Sequence, residues 1–175
     1  MVERLKMQNE QWPREVRRPL VAMAERYAWL IPAWCIEVHL RYQNADLQSS
    51  TAIARTSVNY EYRAACMTVF SSWFDGNDRQ RRKNLAHEFC HIITAPMADY
   101  VADLIRQIIP DQMLQAVIHE EHTKRVESVV EDMASMIIQM EDDLGSQIGK
   151  ANLNQHFRLM KKQADSRIRR GIKVA

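Results

Sequence analysis

The 175-residue sequence predicts an α+β fold, and three observations carry that expectation. Apolar residues recur at helical spacing near both ends of the chain, the period drops to two between them, and only 4 Gly and 5 Pro interrupt the pattern. A first helix is expected over residues 14 to 31, where Val16, Leu20, Met23, Ala24, Tyr27 and Leu30 make one apolar stripe and Pro32 stops it. Trp34, Ile36, Val38, Leu40 and Tyr42 then alternate with Cys35, Glu37, His39 and Arg41, the pattern of a half-buried strand. Asn44 to Ser50 reads as a polar turn. Residues 51 to 58 and 63 to 70, rich in β-branched, small and aromatic types, read as two more strands joined by a hairpin at Asn59 to Tyr62. The expected sheet is three-stranded and antiparallel.

Asp75-Gly76-Asn77-Asp78 is a turn whose last Asp can cap a helix from about Arg79, with Leu85, Phe89, Ile92 and Ile93 on its apolar face and Pro96 as its end. A further helix is expected over Met97 to Ile109. From Gln112 to Leu144 the pattern is long and helical, with Val126, Val130, Met133, Ile137, Met140 and Leu144 as its buried seam and the ten Met acting as core filler. Gly145 to Gly149 is expected to break it. A weaker pattern (Leu153, Phe157, Met160, Ala164, Ile168) closes the chain.

Charge divides the sequence sharply. Residues 84 to 143 hold twelve acidic and three basic side chains, a net −9, whereas residues 144 to 175 hold eight basic and one acidic, a net +7. The basic end could neutralise phosphates, so nucleic acid is one expected partner, or it could dock on the acidic helix or remain a solvated charged helix. Cysteines at 35, 66 and 90 fit neither a disulfide framework nor a CxxC zinc knuckle. No apolar run approaches the roughly 20 residues that span a bilayer, and no leader is signalled, so a cytoplasmic location without membrane contact is expected.

The chemistry concentrates in His87-Glu88-Phe89-Cys90-His91, an HExxH string inside an expected helix. Two His four residues apart leave a helix on one face and can converge on one metal ion, and Glu88 stands beside that face as a general base for a metal-bound water. Catalytic zinc wants a third protein ligand and an open position. Neither a GxxH nor a GTxxD continuation follows His91, so the candidates are His119, Glu120, Glu121, His122, Glu127 and Glu131. Glu127, a polar residue at the edge of the buried seam, is favoured. Glu131 is the second choice, or a group that orients a ligand His. Cys90 points off the metal face and reads as a small buried thiol.

HEFCH on a helix, preceded by a short sheet and followed some 36 residues on by Glu-x-x-Val-x-x-Met-Ala, resembles the small gluzincin-type metallopeptidases. The resemblance covers about Trp34 to Met140. It is closest to compact metallopeptidases encoded in phages and prophages, with ImmA/IrrE-type regulatory proteases as relatives. It implies a zincin-like minimal fold over 1–144, with residues 145–175 as a basic helical extension. It also implies Zn2+ on His87, His91 and Glu127, Glu88 as the base, and a protein or peptide substrate. In such a fold the strand before the active helix, here Arg63 to Phe70, is an edge to which an extended peptide can add, and the acidic surroundings favour basic or neutral peptides. Tyr100, His119 and His122 are the candidates for stabilising an oxyanion. The alternatives are a non-catalytic zinc-binding module and a DNA-associated SprT-like protease, a kind that usually takes a third His.

Overall fold

The computed structural model describes residues 5–7, 12–43 and 53–171, with side chains over 12–43, 53–145 and at 159. The fold is α+β. In chain order the elements are β1 (Leu5–Met7), α1 (Arg14–Tyr27), β2 (Glu37–Gln43), β3 (Ala54–Asn59), β4 (Ala64–Phe70), α2 (Asp78–Ile108) and α3 (Gln112–Gly171). Short 3-10 turns follow α1 at Ala28–Leu30 and β4 at Ser71–Asp75.

The sheet is mixed, not the expected three-stranded antiparallel one. Its order is β1-β2-β4-β3, with β2 parallel to both β1 and β4 and only β3 antiparallel to its neighbour. The three-residue β1 adds to β2 from a segment that carries no strand pattern. Strand polarity explains the order. β4 (Ala-Ala-Cys-Met-Thr-Val-Phe) is the most apolar strand and lies between two others, while β3 exposes Arg55, Ser57 and Asn59 as an edge strand does. Placing β4 inside contradicts the expected edge at Arg63 to Phe70, because the edge beside α2 is β3. The turn at 60–63 does join β3 to β4 as a hairpin, with Arg63 at φ 53°. The polar turn expected at Asn44 to Ser50 lies outside the described residues. β2 begins at Glu37, so Ile36, expected in the strand, is half exposed.

One sheet face, made by Val38, Leu40, Ala65, Met67 and Val69, is buried under Leu20, Ala24 and Tyr27 of α1 and Leu85, Phe89 and Ile92 of α2. Cys35 and Cys90 are buried thiols, and burial pushes the Cys90 thiol up to about 11. α2 starts one residue earlier than expected, because Asn77 rather than Asp78 is the cap. The Asn77 carboxamide accepts from Gln80 N at 3.0 Å while Gln80 Oε1 accepts from Asn77 N at 2.9 Å, a reciprocal box.

Two expected breaks do not occur. Pro96 sits inside the 31-residue α2, and Gly145 and Gly149 sit inside the 60-residue α3. At Pro96 the helix forfeits the bond to the Ile92 carbonyl, a cost of about 3 kcal/mol. Packing on α3 continues past that point, where His122 Nε2 donates to the Ala98 carbonyl at 3.2 Å, and Ile105 is buried beyond it. The seam of α3 is also rotated from expectation. Val130, Ala134, Ile137, Ile138 and Glu141 are buried, whereas Met136 and Met140 are 65% and 56% exposed and are not core filler.

Glu141, 2% exposed, explains the rotation. Its two oxygens accept from Arg26 Nε (2.8 Å), the Tyr27 hydroxyl (2.8 Å) and Arg82 Nη1 (2.9 Å), which ties α1, α2 and α3 at one point. Burial, then the charge and hydrogen bond of Glu141, push the Tyr27 phenol far up, so it remains a donor. Next to it, Arg82 Nη2 and Arg79 Nε bind Asp142 at 3.0 and 3.2 Å. Partial burial pushes the Asp142 carboxyl up, but these guanidinium bonds outweigh it and hold it below the usual range. A carboxyl depressed in the folded state contributes stability above its unfolded pKa of about 4 and loses it as pH falls through the folded value. The urea midpoint is therefore expected to drop below about pH 4, by less in Asp142→Asn than in the wild type.

Candidate metal centre

The site is a ladder between two antiparallel helices. Lys83, His87 and His91, each four residues from the next, share one face of α2, while Glu127 and Glu131 share the facing side of α3. His87 Nε2 and His91 Nε2 lie 3.1 Å apart, and each faces a different oxygen of Glu127, at 3.4 and 3.5 Å. These three side chains form the group of donors, all within 4.8 Å of one another, that could hold a metal ion. Their separations test the fit. Ligands at the 2.0–2.1 Å typical of a tetrahedral N/O site stand about 3.3–3.4 Å from each other; here the two nitrogens stand 3.1 Å apart and each reaches its own Glu127 oxygen at 3.4 and 3.5 Å, so the residues present fit such a site after small side-chain adjustment.

Hydrogen bonds from neighbouring groups orient the donors. Glu131 accepts from His87 Nδ1 at 3.3 Å, because an ionised carboxylate can only accept, and Nε2 is the ring nitrogen that faces the other two donors. The Lys83 ammonium, hydrogen-bonded to Glu131, holds the Glu131 carboxyl below its usual range and so keeps it an acceptor. Burial, reinforced by the neighbouring His87, lowers His91 against the pull of Glu127, which keeps its imidazole neutral. Glu131, second choice as a ligand in the sequence, thus orients His87.

Glu88 is 6% exposed and lies beside the trio rather than within it. Its helix turn is tied to the sheet edge by the Thr56 hydroxyl of β3, which donates to the Glu88 carbonyl at 3.3 Å. Among the described residues its Oε2 has no hydrogen-bond partner. Burial pushes its carboxyl above the ordinary range, and Glu127 adds to this while Thr56, His87 and Arg55 oppose it.

The other sequence candidates lie elsewhere. Glu120 and Glu121 pair with Lys124 and Arg125 one turn along α3. His119 lines a groove between the end of α2 and the start of α3, with Ala102, Ile105 and Gln115. Tyr100, nine residues past His91, leaves α2 from the opposite face and lines a separate groove with Tyr60, Pro96 and Met97, so neither it nor His119 joins the centre. Lys83 was missed in the sequence, although its position four residues before His87 marks it. No described helix is long and apolar enough to cross a membrane. No protein-family model, curated protein or solved structure matches this chain, so its function rests on the geometry of this centre.

Proposed function

We infer that the chain is a small zinc-dependent peptidase, with His87, His91 and Glu127 holding the zinc and Glu88 as the general base. The observation that carries this is the convergence of two imidazoles and a carboxylate, with donor atoms within 4.8 Å of one another, next in sequence to a buried carboxyl. A mixed N/O set of three protein ligands with one position left over is the donor chemistry of catalytic zinc. When bound, zinc lowers the pKa of a coordinated water towards about 7 and polarises a scissile carbonyl.

The rest falls to the chain's own groups. Burial makes Glu88 a stronger base than a solvated carboxylate, able to take a proton from water and later deliver it to the leaving amine. Glu131, held by Lys83, keeps His87 in the tautomer that offers Nε2. β3, the edge strand next to Glu88, supplies backbone groups to which an extended peptide can add.

The test is metal content followed by hydrolysis. Purified wild type is expected to hold one zinc per chain, and His87→Ala and Glu127→Ala to lose it. Metal-free wild type would sink the proposal. Zinc retained at full affinity by Glu127→Ala would move the third ligand to Glu131. A zinc-loaded chain that cleaves nothing in a mixed peptide library would be a binding module instead.

A further inference from the structure

We propose that the open face of the sheet binds a single strand of nucleic acid, with a phosphate held between Arg41 and Arg55 over Thr68 and a base stacked on Phe70. The helices α1 and α2 cover the sheet face that carries Leu40, Met67 and Val69. Alternation along each strand sends Arg41 of β2, Thr68 and Phe70 of β4, and Arg55 and Ser57 of β3 to the other face. Arg41, Arg55 and Ser57 are exposed there, so that face is open to solvent.

The strand register puts three of these side chains in one row. Thr68 is the neighbour of Arg41 in the parallel β2–β4 pair and of Arg55 in the antiparallel β3–β4 pair. With strands about 4.8 Å apart, the two arginine Cα atoms stand about 10 Å from each other, one on each side of Thr68. Both long side chains can therefore close over the Thr68 hydroxyl. Each guanidinium is a planar fork of N–H donors that matches a phosphate, and the hydroxyl adds a further donor between them.

Nothing on the described chain neutralises this row. Among the described residues neither guanidinium nor the Thr68 hydroxyl has a hydrogen-bond or ion-pair partner. Glu37, the acid on the same strand as Arg41, pairs with His39 Nε2 at 2.9 Å instead. Arginines elsewhere do find carboxylates, as Arg26, Arg79 and Arg82 find Glu141 and Asp142. Two unpaired guanidinium groups beside a free hydroxyl, in a chain that is net −9 over residues 84–143, complement an anion from outside.

Phe70 decides the kind of anion. It follows Thr68 by two residues on β4, about 7 Å along the same face, and it is not among the apolar side chains that pack on the core. A cationic clamp with an aromatic ring beside it grips a phosphate and stacks a base, and only a single strand has base faces to offer. The metal centre lies between α2 and α3, on the helix side of the sheet, so occupancy of one site does not require the other.

The test is fluorescence anisotropy of the full chain with a labelled oligothymidine of about twelve nucleotides, long enough for one site. Arg41→Gln combined with Arg55→Gln is expected to weaken binding about 10-fold, as loss of charge-assisted hydrogen bonds does. It should also flatten the slope of log K against log salt by about 0.7, the share of one phosphate on a single strand. Phe70→Leu should cost about 10-fold in affinity with the salt slope unchanged. Arg17→Gln combined with Arg18→Gln removes the same formal charge from exposed positions of α1 and should leave affinity and slope nearly unchanged. Equal loss in the α1 pair would mean that binding follows net charge alone. Full binding by the Arg41 and Arg55 pair would place it on the basic end of the chain, and duplex DNA held as tightly as the single strand would mean that no base is stacked. Any of these three results, or a wild type that binds no oligothymidine, overturns the proposal.

Discussion

Glu88→Gln is expected to slow peptide-bond hydrolysis by about 10²–10⁴-fold while zinc content stays at one per chain. Gln has the shape of Glu but no basic oxygen, so it can fill the site and cannot take a proton. Glu88 lies outside the donor trio, so the ligands are untouched. The same change has a second readout that a purely structural carboxylate would not give. A buried acid with an unpartnered oxygen is a cost to the fold, and replacing it with a neutral side chain removes the charge part of that cost. The urea midpoint of Glu88→Gln should therefore hold or rise while activity collapses. Hydrolysis left intact in the variant would remove Glu88 as the base. A fall in both activity and stability would make it a structural residue.

The centre was legible in the sequence where its geometry is local. His87, Glu88 and His91 are set by one helix turn, and Lys83 belongs to the same four-residue repeat. Glu127 is different, since it lies 36 residues on from His91, and only its place at the edge of an apolar seam pointed to it. The choice between Glu127 and Glu131 needed the register of α3 against α2. That register depends on the Arg82 and Glu141 contact, which no local pattern announces.

The sheet was less legible because strand order is a non-local property. A run of β-branched residues gives a strand but not its neighbours, and the β2–β4 parallel pair joins strands separated by all of β3. Local punctuation also misled in both long helices. Pro96, Gly145 and Gly149 each weaken a helix by a few kcal/mol at most, so α2 and α3 run through them, and at Pro96 packing of α2 on α3 offsets the loss. The Met residues of α3 look like core filler because period alone does not say which of two adjacent apolar stripes faces inward. A buried Glu decided it.

Glu141→Ala is accordingly expected to be the most destabilising single change outside the apolar core, at about 3–5 kcal/mol in urea unfolding. Its carboxylate is the acceptor shared by Arg26, Tyr27 and Arg82, and truncation leaves a partly buried guanidinium and a buried hydroxyl facing a void. The Asp142 bonds to Arg82 and Arg79 remain, so the helices should stay in contact without a unique rotation. Glu141 lies 14 residues beyond Glu127, about 21 Å along α3, and loss of that anchor should loosen the carboxylate that faces both imidazoles. Zinc affinity should fall along with stability. His87→Ala separates the two effects, because it removes a ligand without touching the anchor and should leave the urea midpoint measured without zinc nearly unchanged. If Glu141→Ala lowered stability yet held zinc as tightly as wild type, the three-helix anchor would have no part in setting the centre, and Glu127 would owe its position to the adjacent Val130 and Ala134 packing alone.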